Sequence, residues 1–163
     1  MPLSSIVIDP CNAAEPSGLG TLQFAPLDEV NASAFDVAIN AAYNQQEALG
    51  LVAWYDMPYA PGSGTWSEEQ QDGEQGTSFR VAISALLPAS TPAVRGQLDA
   101  MRNRRYLLRI IKAGQPYLIG TPDNPLRFES RFDSGAESSD TRGPRAEWKG
   151  STLKKSPGYV PVF

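Results

Sequence analysis

Apolar and polar positions alternate most regularly late in the chain. Leu126, Phe128 and Phe132 fall on one side and Arg127, Glu129 and Arg131 on the other, the two-residue period of a strand with one buried and one wet face. Phe79, Val81, Ile83 and Ala85 alternate in the same way with Arg80, Ala82 and Ser84, and Pro88 closes that strand. Residues 106–112 form an aliphatic strand, residues 113–116 turn it, and Tyr117, Leu118 and Ile119 return as its hairpin partner. Shorter strands are predicted over 5–8, 21–25, 51–55 and 146–150. The period changes between residues 91 and 102. Val94, Leu98 and Met101 make a helical stripe opposite Arg95, Asp99 and Arg102, with Thr91 placed to cap it and Pro92 in its first turn. Phe35, Ile39 and Ala42 give residues 31–49 a second helical spacing, weakened by Asn40, Asn44, Gln45 and Gln46.

Fourteen Gly and fourteen Pro break the 163 residues into short pieces, the habit of a turn-rich β fold. The pattern therefore predicts a mainly β (α+β) single domain over 1–163: an antiparallel β-sandwich or β-barrel with one flanking helix at about 91–102. Two stretches have no period. Residues 57–77 hold four glycines, two prolines and four acids, and residues 133–144 are rich in Ser, Gly and Asp. Both are predicted to be extended loops, and long loops in compact domains generally have a use.

Composition narrows the chemistry. The chain has no histidine and one cysteine, Cys11. That removes Ser-His-Asp and Cys-His nucleophilic sites, His-containing zinc sites and any intrachain disulfide. Cys11 has no neighbouring base and is read as inert. No apolar run approaches the roughly 20 residues of a membrane span, and the N-terminus lacks the basic and apolar regions of a signal peptide. The expectation is a protein of the cytoplasm that is not an enzyme. No catalytic, cofactor-binding or metal-binding residue is assigned.

Net charge is −4, unevenly placed: residues 1–100 carry twelve acids against Arg80 and Arg95, while residues 101–163 carry twelve Lys or Arg against six acids. Complementary surfaces of this kind steer association between copies. Several clusters compete for a role. Glu68, Glu69, Asp72 and Glu74 offer oxygen ligands, but without the spacing of a calcium loop, so a solvated acidic loop is expected. Trp54, Tyr55, Tyr59 and Trp66 could stack on sugar rings, which makes a carbohydrate-binding module the alternative reading; aromatics equally suit the centre of a protein interface. Arg102, Arg104, Arg105 and Arg109 surround Tyr106, yet a helix-to-strand junction does not place them on one face, and no specific nucleic-acid recognition is expected. Gly18-Leu19-Gly20 and Gly62-Ser63-Gly64 lack a nucleotide-binding context and read as loop punctuation. The interface residues chosen are Trp66, Glu68, Glu69, Arg142, Arg145 and Lys149.

Element order over about residues 78–150 carries a resemblance. A strand at 79–87 precedes a helix at 92–101 and a hairpin ending Tyr117-Leu118-Ile119-Gly120. An Asn124-Pro125-Leu126-Arg127-Phe128 strand, a Ser-Gly loop with Arg142 and a strand at Trp148 follow. This resembles the small structural proteins of tailed-bacteriophage tails, of tail-tube or connector type. The resemblance implies a virion structural subunit, assembled in the host cytoplasm, that closes rings or tubes with copies of itself and other virion proteins. It implies that the 57–77 and 133–144 loops, and arms at 1–20 and 151–163, order on contact. The genome would pass through a lumen, and the net acidity of the chain suits that.

Overall fold

The computed structural model describes residues 3, 5, 19–30, 53–112, 114–133 and 143–152. They form eight strands and one α-helix in the order β1 (Thr21–Pro26), a short 3-10 turn (Leu27–Glu29), β2 (Tyr55–Asp56), β3 (Thr65–Gly73), β4 (Gly76–Leu86), α1 (Pro92–Met101), β5 (Arg105–Lys112), β6 (Gln115–Ile119), β7 (Leu126–Asp133) and β8 (Gly143–Thr152). Every pairing is antiparallel, and the sheet runs β2-β1-β5-β7-β8-β4-β3 with β6 also on β5.

β5 explains the shape. One side pairs with β1 from Tyr106 to Ile111; the other is divided, with β6 on residues 108–112 and β7 on Arg105 and Tyr106 alone. Two four-stranded halves, β2-β1-β5-β6 and β7-β8-β4-β3, thus meet at a seam two residues long. The sheet folds over at that seam without closing: Phe24 of β1 stacks on Trp148 of β8 with ring centroids 6.4 Å apart, and Trp66 of β3 lies 5.2 Å from Tyr117 of β6. The expected antiparallel β architecture with a flanking helix is therefore present, as an open, sandwich-like sheet.

The core fills the space between the halves. Leu22 and Phe24, Val81, Ile83 and Ala85, Tyr106, Leu108 and Ile110, Leu126 and Phe128, and Ala146 and Trp148 all enter one buried cluster, each set two apart along its strand, as the pleat requires. Register aligns them into rows. Phe128, Trp148, Ile83 and Trp66 stand side by side across β7, β8, β4 and β3. The helix adds Val94, Leu98 and Met101, the three residues of its predicted stripe. Thr91 caps it, its hydroxyl accepting from the Val94 amide at 3.3 Å. The Tyr106 hydroxyl donates to the Met101 carbonyl at 3.0 Å, tying the helix end to β5; burial pushes that phenol well above its usual pKa.

Several expectations need correction. Residues 57–77 are not one structureless loop: 65–73 form β3, paired residue for residue with β4 from Thr65↔Ser84 to Gly73↔Gly76. Acids and amides hid it, because an edge strand needs no apolar alternation where both faces meet water. β4 begins at Gly76, inside the expected loop. Gln115 and Pro116 already belong to β6, where an edge position tolerates proline. Asp133 ends β7, while Gly143 and Pro144 open β8, which runs through Thr152 into the expected C-terminal arm. β2 is shorter and later than the 51–55 strand. Leu3 and Leu19, from the expected N-terminal arm, are buried in the core. Residues 6–8 of the strand predicted over 5–8, the predicted helix over 31–49, Cys11, most of the 133–144 loop and the tail beyond 152 lie outside the described residues.

Candidate protein-interaction surface

The outward residues of the second half alternate with the core residues, so burial of the core decides what faces out. On β7 these are Arg127, Glu129 and Arg131; on β8 Arg145, Glu147 and Lys149; on β4 Arg80, Ala82 and Ser84; on β3 Ser67, Glu69 and Gln71. Register places like charges opposite each other: Arg127↔Lys149, Glu129↔Glu147 and Arg131↔Arg145, with Arg105↔Arg127 across the seam. Cβ atoms of such pairs lie only about 5 Å apart, and the pairing is unfavourable in isolation.

Diagonal contacts relieve part of this. The Lys149 ammonium donates to Glu147 at 2.9 Å and to Glu129 at 3.3 Å, and Arg131 approaches Glu147 at 3.8 Å. The Lys149 contact holds Glu147 below the usual carboxylate range, and the Glu147 and Glu129 bonds raise Lys149 in turn. Arg145 donates to the Ser84 hydroxyl at 3.0 Å. Arg105 and Arg127 are exposed and have no anionic partner among the described residues.

The chosen interface residues are brought together only in part. Arg145 and Lys149 share the outward face of β8. Trp66 is half-buried, turned inward against Tyr117. Glu68 and Glu69 are neighbours on one strand and so point to opposite faces, Glu68 beside Val81 and Glu69 beside Arg80. They cannot converge on one ion, and among the described residues no acidic or cysteine group has a metal-holding arrangement. Arg142 lies outside the described residues.

The arginine cluster around Tyr106 disperses. Arg102 pairs with Asp99, Arg104 with Asp28 and Glu29, and Arg109 donates to Gln23 at 2.6 Å while stacking over Trp54 at 4.8 Å. Only Arg105 joins the outward row, beside Arg127, which sequence reasoning did not select. The signal was present in the alternation of Arg127, Glu129 and Arg131, but the partner strands were needed to make it a surface. The aromatic cluster disperses too. Tyr55 stacks on Phe24 and donates to Glu29 at 2.7 Å, a bond that raises its pKa; Tyr59 donates to the Gly20 carbonyl; Trp54 lies under Arg109. These four rings do not share one exposed plane.

The last element of the surface is an edge. β3 presents nine residues whose second side carries no strand among the described residues. Phe132, 54% exposed at the end of β7, is the exposed large apolar side chain among the described residues, with Arg95 5.0 Å above its ring. Comparison with known proteins finds no matching family model, no matching curated protein and no matching solved structure.

Proposed function

We propose that this chain is a structural assembly subunit that packs against copies of itself and against other virion proteins, in the manner of ring- or tube-forming components of phage tails and connectors. The observation that carries this reading is the outer surface of the second half: a nine-residue strand, β3, at the edge of the described sheet, beside a face whose opposed cations are only partly paired among the described residues. An open edge accepts a strand from a neighbour, and main-chain hydrogen bonds supply affinity there. A charged, patterned face supplies register and partner choice.

Light scattering on the purified protein, with negative-stain images of the same fractions across concentration and salt, tests the reading. Rings, tubes or a discrete oligomer are expected. A monomer at every concentration and salt overturns self-assembly. The virion assignment has its own test in the flanking genes, where portal and tape-measure genes are expected and a metabolic operon counts against it.

A further inference from the structure

Two features of the outer surface are each incomplete and match one another. Arg105, Arg127 and Lys149 occupy one register row across β5, β7 and β8. Lys149 turns away to the two glutamates, which leaves Arg105 and Arg127 side by side and unneutralised among the described residues. The β3–β4 hairpin is the converse. Glu69, Asp72 and Glu74 are exposed there; Arg80 stands opposite Glu69, and from Gln70 to Phe79 the hairpin holds acids and no cation. Asp72 accepts from Gln70 at 3.1 Å and from Thr77 at 2.8 Å, so its carboxylate is held at the tip. Among the described residues, residues 76–78 of β4 pair with β3 alone.

Building on the assembly reading, we propose that the Arg105–Arg127–Lys149 row is the docking surface for the acidic β3–β4 hairpin tip of a second copy of this chain. The contact joins two different surfaces, so every copy keeps one of each free, and repetition gives a closed ring or an open stack. Opposed potentials on the two surfaces steer the encounter and reject the like-charged orientations. A nucleic-acid backbone fits the face less well. Glu129 and Glu147 form a row of carboxylates between the Arg127 row and the Arg131–Arg145 row, where a second line of phosphates would run.

The test is charge reversal on each side, read by light scattering and sedimentation with circular-dichroism melts as the folding control. Arg105→Glu with Arg127→Glu makes one variant, and Glu69→Lys with Glu74→Lys the other. Each alone is expected to weaken self-association at least about ten-fold, and an equimolar mixture of the two is expected to restore it, since each supplies the charge the other now needs. If reversal on the face perturbs folding, Arg105→Gln with Arg127→Gln tests the same row with a smaller expected loss. Wild-type assembly that both variants retain overturns this contact and leaves the assembly reading standing; a mixture that fails to reassemble overturns the pairing of these two surfaces. A wild-type chain that stays monomeric overturns the assembly reading itself. A labelled oligonucleotide bound by the wild type and released by the face variant, with assembly intact, assigns the row to nucleic acid instead.

Discussion

The two halves of the sheet share a core but treat their outer faces differently. In the β2-β1-β5-β6 half the outward side is largely resolved within the chain. Ala25, Leu107 and Leu118 are buried there, outside the main core cluster, and the polar positions form a closed ladder in which Arg109 donates to Gln23 and Gln23 to Asp56. In the β7-β8-β4-β3 half the outward side is wet, and cations stand opposite cations. The first arrangement adds stability. The second gives some up, and a surface that forgoes stability in a regular pattern is best understood through what it meets.

The largest loss is expected where one side chain supports both halves. Trp148 is fully buried between Phe24 and Phe128, so Trp148→Ala should cost about 3–5 kcal/mol in urea denaturation. A loss below 1 kcal/mol would mean that the halves do not share this core. Tyr106→Phe deletes the hydroxyl that satisfies the Met101 carbonyl at the end of α1. A loss of about 1–3 kcal/mol is expected from the buried acceptor left without a donor, read as a lowered melting temperature.

The two faces differ most clearly at one arginine each. Arg109→Met removes a hydrogen bond and a stacked cation from the first half and should destabilise by about 1–2 kcal/mol. Arg127→Met removes a cation flanked by Arg105 and Lys149 and should stabilise by about 0.2–1 kcal/mol. Chemical denaturation of the pair decides it: equal signs would sink the contrast drawn between the two faces.

The smallest effect is expected at Glu147→Gln, about 0.5 kcal/mol at neutral pH. Lys149 lowers the folded pKa of Glu147. Its contribution is therefore present above the ordinary glutamate pKa and lost as pH falls through the lowered one. The raised Lys149 behaves oppositely, contributing below the ordinary lysine pKa and fading as pH rises through its folded value. Melting curves of wild type and variant should converge in acid; a gap that persists there would mean the charge is not what matters.

Much of this fold was legible in the chain, and the reason differs by element. β4, β7 and α1 announce themselves because each buries a single face, and burial imposes its period on the residues. β3 was missed because its run of Glu68, Glu69, Gln70, Gln71 and Asp72 carries no such period; its strand state comes from pairing to β4, which is tertiary information. The surface was legible only in its ingredients. Arg145, Lys149, Glu68 and Glu69 were selected as residues, but which of them share a face follows from register, and register set Arg105 beside Arg127 across a seam between strands distant in sequence. The division of charge by chain position shows which segments are acidic or basic, but only the pairing of β5 with β7 and of β7 with β8 sets Arg105, Arg127 and Lys149 in one row.

The pairing of β1 with β5 and of β4 with β8 also sets an order of events. Neither β1 nor β4 can complete its hydrogen bonds until a strand made much later emerges, and sheets closed by such distant pairs fold slowly. The β3–β4 hairpin, by contrast, is local and can form as soon as β4 has followed its two-residue turn out of the ribosome. It must then wait with Val81, Ile83 and Ala85 uncovered until β8 arrives. The acids along β3 act as gatekeepers during that interval, keeping an early, half-finished hairpin soluble while the rest of the chain is still being made.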